Sequence, residues 1–286
     1  MKSITKGIIC ILSSALCFAF MSTFVRLAGD LPFIQKSFFR NLVALIFAIA
    51  VIIRKREKFH WKREDFKFLV LRSIFGTIGV LCNFYAVDHL VLSDASMLNK
   101  MSPFFVIILS YLFLKEKINL VQAMAVMTAF VGSLFIIKPT FTNMDLFPSI
   151  IGLIGGFGAG AAYTTVRHLG KRGVKGPVIV CFFSAFSCIF TLPSLLLTYH
   201  PMSLKQVLFL LCAGLAAAGG QFTITAAYTF APGKEISVYD YSQVVFTALL
   251  GFFIFGQFPD IFSILGYIII CSTAIYMFFY NKKRSN

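Results

Sequence analysis

Charge is scarce in this chain, and acid is scarcest. Charged residues make up 13% of the 286, with 11 Asp or Glu beside 26 Lys or Arg, where a soluble domain carries about 25% charge. Too few ionised groups are present to clothe a water-exposed globule. Seven cysteines, Cys10, Cys17, Cys82, Cys181, Cys188, Cys212 and Cys271, all lie in apolar segments without CxxC or Cys/His ligand spacing. That excludes a disulfide or zinc framework and leaves them as small packing residues. There is no phosphate-cradling loop, metal-ligand cluster or nucleophile elbow, and His60, His89, His168 and His200 fall at loops or helix ends. An enzyme is therefore not expected, nor a cofactor, nor a metal.

What is present is apolar: 58% hydrophobic residues, 35 of them phenylalanine, and a mean hydropathy of +0.86. Ten apolar runs, residues 7–27, 33–53, 68–87, 93–113, 121–137, 147–165, 177–197, 207–230, 236–255 and 261–280, each approach the roughly 20 residues of a spanning helix. An all-α polytopic membrane protein with ten transmembrane helices follows. The first run trails Lys2 and Lys6 but has spanning length and no small-x-small cleavage pattern, so it reads as a retained helix. A net charge of +15 would suit a nucleic-acid partner in a soluble protein. Here the basic residues sit in short loops between apolar runs, so the expected partners are membrane lipid and a small-molecule substrate, with no nucleic acid, and the chain is expected to act as a monomer.

With the amino terminus cytoplasmic, 19 of the 26 Lys and Arg fall in inside segments, chiefly the basic loop 54–67, and at most four fall outside. Both termini are expected in the cytoplasm, in the cell membrane. A shift of 141 residues overlays Phe24-Val25-Arg26 on Thr165-Val166-Arg167, Tyr85-Ala86 on Ala226-Ala227, Asn99 on Asp240 and residues 113–118 on 254–259. The second run needs 145 to meet the seventh. Five helices per copy is odd, so residues 1–141 and 142–286 read as inverted repeats, a design that places substrate near the midplane and alternates access by rocking.

Residues 93–118 are the stretch around which the rest is organised. Lys100 lies seven residues into that span, roughly 10 Å of helix rise, where an ammonium costs at least about 2.5–3.5 kcal/mol. It either faces a polar cavity or snorkels to the interface. Asn99 beside it and Pro103 beyond weaken the helix at that point. Further polar groups sit inside the runs: Arg40 and Asn41, Asn83, Tyr163 and Thr164, Gln221 and Thr223, and Tyr239, Asp240, Tyr241 and Gln243. Their spread over several helices suits a binding cavity. Lys100 and Asp240 lie at similar depths from opposite sides, so a charge pair across the cavity is the sharper expectation. The alternative gives each its own partner, Asp240 taking neighbouring tyrosines or Arg72. Arg40 either receives a carboxylate or ties its helix to neighbours. Gly152, Gly156 and Gly160 repeat every four residues, a packing stripe or the border of a cavity.

SFFRNLVALIFAI in the second run, SPFFVIILSYLFLKEKI closing the fourth, and YDYSQVVFTALLGFFIFGQFPDIFSILGYIII over the ninth and tenth resemble the drug/metabolite transporter superfamily, in its EamA-type members with ten helices and two repeats. The resemblance implies cytoplasmic termini, a central cavity lined mainly by helices 1, 3, 4, 6, 8 and 9, and transport of metabolites such as amino acids and their derivatives, S-adenosylmethionine, nucleobases or nucleotide sugars. YDYSQ is similar to the ninth helix of the branch with S-adenosylmethionine and organic-anion-type carriers, which implies Tyr239, Tyr241 and Gln243 as cavity residues. Two departures stand out. Gln257 replaces a common glutamate that Glu116 keeps in the first copy, and Val244 replaces the proline that matches Pro103.

The resulting expectation is a secondary transporter of a small polar metabolite, an amino acid or an amphoteric derivative such as S-adenosylmethionine. Its substrate-binding candidates are Lys100, Asn99, Asp240, Tyr239, Tyr241, Gln243, Asn83, Gln221, Tyr163 and Arg40, with Asp240 as the proton-coupling candidate. The rivals are a flippase or quaternary-amine carrier with a lateral opening, and a non-transporting membrane scaffold.

Overall fold

The computed structural model describes residues 3–56, 62–90, 92–137, 145–256 and 258–284. Among these residues there is helix and no strand, as a bilayer demands of a chain that must satisfy its backbone within each segment. The helices are α1 (Ser3–Leu27), α2 (Phe33–Arg54), α3 (Arg63–His89), α4 (Leu92–Asn99), α5 (Ser102–Leu114), α6 (Leu120–Ile137), α7 (Leu146–Lys171), α8 (Gly176–Leu197), α9 (Leu204–Phe230), α10 (Gly233–Ile236), a 3₁₀ segment Ser237–Tyr241, α11 (Ser242–Phe255) and α12 (Ile261–Arg284). Ten of the resulting spans have the length and apolarity to cross a membrane. Gln257 and His60 lie outside the described residues.

Two spans are interrupted. The fourth, expected as one continuous helix, breaks at Lys100 and Met101 between α4 and α5. The cause is local. Pro103 has no N–H to give to the Asn99 carbonyl, and the Phe104 amide turns back to Met101 rather than to Lys100. The ninth span breaks as well, although it lacks the matching proline. Ser237 donates its hydroxyl to the Gly233 carbonyl at 2.6 Å and Ser242 donates to the Tyr239 carbonyl at 2.6 Å. Bonds of this kind also occur within unbroken helices, as at Thr23 of α1 and Ser73 of α3, so they accompany the break without accounting for it. Both interrupted spans end alike, on a left-handed residue: Lys115 with φ 53° and Gly256 with φ 64°. These two positions are 141 apart, the spacing of the sequence repeat.

The spans pair first with eighth, third with sixth, second with seventh, fifth with tenth, first with ninth and fourth with sixth. Exchanging each span n for its counterpart five places on maps these pairings onto themselves, whereas the further contact of the sixth span with the eighth has no match between first and third. Small residues permit the close crossings. On α7, Gly152, Gly156 and Gly160 face α4 and α5, where a Cβ on Gly156 would stand 2.6 Å from the Leu98 carbonyl oxygen, while Gly155 and Gly158 face α3. The glycine stripe is thus occupied by helix packing. Large apolar side chains such as Phe113, Leu197 and Phe253 point outward, as expected of surfaces that meet lipid.

At the end of the bundle that carries the amino terminus, charged residues bind the spans together. Glu116 Oε1 receives Arg167 Nε at 3.2 Å and Lys171 Nζ at 2.7 Å. Arg167 also donates to the carbonyls of Tyr228 and Thr229, and Arg172 pairs with Glu64 and Asp65. At the opposite end, Arg26 stacks 4.4 Å over the Phe255 ring.

Candidate functional site

The two helix breaks meet. Lys100 Nζ donates to Asp240 Oδ2 at 3.1 Å, to the Asp240 carbonyl at 3.3 Å and to Gln243 Oε1 at 2.8 Å. In return Tyr241, the residue 141 positions on from Lys100, donates its hydroxyl to the Lys100 carbonyl at 3.1 Å. Interrupting a helix inside a bilayer frees carbonyls that need donors. Here each break supplies a donor to the other. The ammonium and carboxylate are nearly enclosed, with side chains 7% and 11% exposed, so their attraction is little screened. Of the alternatives open for Asp240, the pair with Lys100 is the one that forms, and Arg72 is engaged elsewhere.

Arg72, in the middle of α3, is 1% exposed. Its Nη2 donates to Gln221 Oε1 on α9 at 3.1 Å, and its guanidinium lies 4.3 Å over the ring of Phe183 on α8. Gly76, one turn along α3, leaves room for that group, since a Cβ there would run into Arg72 and Phe183. Arg40 on α2 is 4% exposed and donates Nε to the Met21 thioether at 3.0 Å, with Nη1 at 3.5 Å from Asn41 Oδ1. Thioethers are weak acceptors, and 3.5 Å is at the limit of a hydrogen bond. Asn41, by contrast, reaches across to Ser187 of α8 at 2.8 Å and fixes the α2 to α8 contact.

Tyr163 stacks on Tyr228 with ring centroids 5.1 Å apart. Lys100, Asp240, Tyr241 and Gln243 thus form one hydrogen-bonded cluster, Arg72 and Gln221 form a second, and Arg40 meets Met21 and Asn41. Three other candidates stand apart from these contacts. Asn83 and Asn99 are half-buried, and Asn83 lies where α3 crosses Gly155. Tyr239 is buried in the main apolar cluster, its hydroxyl without a partner. Arg72 and Tyr228 are the residues that the sequence did not single out for the site. For Arg72 the available signal was a glycine four residues on from an intramembrane arginine.

Among the described residues no cluster of His, Cys, Asp and Glu could hold a metal ion. Residues 5–138 match the EamA-like transporter family. An uncharacterized transporter of Helicobacter pylori is 28% identical over 280 residues, 95% of this chain and 94% of the relative. The pseudopaline exporter CntI of Pseudomonas aeruginosa is 28% identical over 273 residues, 94% and 95% of the two chains. A solved crystal structure with 12% identity superposes at a TM-score of 0.82 over 94% of this chain and 96% of its own, a likeness of fold. With ten spanning helices, a family match through its first half and transporter relatives along its full length, the chain belongs to the drug/metabolite transporter superfamily as an EamA-type integral membrane transporter.

Proposed function

We propose that the protein is a secondary transporter of an amino acid or an amphoteric amino-acid derivative, moved by alternating access at the joined helix breaks. The observation that carries this reading is the Lys100, Asp240 and Gln243 cluster at 2.8–3.3 Å. It offers both signs of charge and a neutral amide at the crossing of two interrupted spans. An ammonium on the solute would compete for Asp240 and a carboxylate for Lys100, so the solute replaces an internal ion pair instead of facing a bare charge. The self-mapping of the span pairings supports two inverted halves, 1–141 and 142–286, that rock about this centre. The Lys and Arg distribution supports a cytoplasmic position for the end that carries Glu116. Because Lys100 partners Asp240, the carrier is read as an exchanger or facilitator rather than one that moves a proton on Asp240.

The test is a thermal-shift screen of the detergent-purified protein against amino acids, S-adenosylmethionine, nucleosides and polyamines, repeated on Lys100→Ala and Asp240→Ala. A solute that binds the folded state raises the apparent Tm. Protection by an amino acid or its derivative that disappears in both variants is the expected result. Protection of undiminished size in both variants would remove these residues from the site. If no soluble metabolite protects the wild type, a lipidic substrate takes the place of this one.

A further inference from the structure

Away from the span ends, the interior of the bundle buries three cations and one carboxylate: Arg40, Arg72 and Lys100 against Asp240. Lys100 takes the carboxylate, which leaves both arginines over. Among the described residues neither arginine has a carboxylate within ion-pair distance. Arg72 is the more telling, because its Nε and Nη1 are buried without a hydrogen-bond partner. A guanidinium presents five donors in a fixed fork, and burying it with donors unmatched opposes folding. Packing gives no reason for it, since an unbranched apolar side chain would also fill the space against Phe183. The chain nevertheless provides Gly76 to seat this group and Gln221 to hold one nitrogen. Arg72 lies over Phe183, and Asn41, next to Arg40, bonds Ser187 one turn further along the same helix α8, so the two arginines sit on helices that meet one stretch of α8.

We infer that Arg40 and Arg72 together form an anion seat, and that the transported solute carries two more negative than positive charges. Its chemistry is that of a compact dianionic group, a pair of carboxylates or a phosphate, held by the guanidinium forks while any amine on the solute meets Asp240. This inference rests on the transporter reading and narrows its substrate class. An acidic amino-acid derivative fits, whereas the added cationic centre of S-adenosylmethionine does not.

The experiment compares Tm of the purified wild type with succinate, inorganic phosphate, alanine and putrescine at matched ionic strength, then repeats it on Arg72→Met and Arg72→Lys. Succinate or phosphate, whichever matches the seat, is expected to protect the wild type where alanine, putrescine and sodium chloride do not. In both variants the apparent affinity for that dianion falls about tenfold or more, the loss expected for one charge-assisted contact. Arg72→Lys keeps the charge and loses the fork, so it decides the matter if Arg72→Met does not fold. Without ligand, Arg72→Met is expected to melt no lower than wild type. Protection by alanine or putrescine with none by either dianion overturns the anion seat and leaves the transporter reading standing. Undiminished protection by the dianion in the variants overturns the seat as well, and marks Arg72 as structural. Protection by no probe of either charge overturns both.

Discussion

Lys100 and Asp240 depend on each other. Removing one partner of a nearly enclosed ion pair strands the other, which costs about 3–5 kcal/mol, whereas replacing both by apolar residues is close to neutral. Lys100→Met and Asp240→Leu should therefore each lower the Tm of the purified protein, and the double variant should recover most of the loss while remaining inactive. Additive losses in the double variant would show that the two residues are not energetically coupled. Much of this centre was legible in the sequence, because a lysine and an aspartate inside apolar runs have few ways of being tolerated. Arg72 was not. One arginine among apolar residues looks the same whether it meets a carboxylate or an amide, and only the fold brings Gln221, Phe183 and Gly76 around it. Tyr239 differs from its neighbours in YDYSQ: Asp240, Tyr241 and Gln243 bond to Lys100, while the Tyr239 hydroxyl is buried without a partner.

At the scale of elements, the ten spans follow from hydropathy alone, and Asn99 and Pro103 marked the weak point of the fourth span without announcing a full break. The second break could not be read, because Val244 stands where a proline would have announced it. Breaks of this kind need a close neighbour to stay in register. Gly156 supplies it for the fourth span. An added methyl there meets the Leu98 backbone carbonyl at 2.6 Å, which no rotamer change can relieve, whereas at Gly176 the nearest atom is Thr225 Cγ2 at 3.6 Å. Gly156→Ala should therefore lower Tm by the equivalent of about 1–3 kcal/mol of overpacking and slow transport in proteoliposomes, while Gly176→Ala should do neither. Equal behaviour of the two variants would mean that the position of the break is not set by α7.

For the whole molecule, alternating access requires that the two ends take turns in being tied, and the two ties here are built from different chemistry. At the end with the amino terminus, Glu116 joins α5 to α7 through Arg167 and Lys171, and Arg167 continues to the carbonyls closing α9. The position 141 before Arg167 is Arg26, which stacks on Phe255 at the other end. An ion pair with side chains 14% and 9% exposed is worth more than a pair in open water, where about 0–1 kcal/mol is usual, so the Glu116 tie biases the resting protein toward holding that end together. Glu116→Ala should release it. Hydrogen exchange then reads the outcome without a ligand: amides in residues 110–118 and 228–236 should exchange about tenfold faster or more, while those near residues 200–204 at the opposite end stay as they are. Exchange that is unchanged at both ends would mean the tie is a surface ornament. Faster exchange throughout would mean that Glu116 supports the fold as a whole instead of one of its two ends.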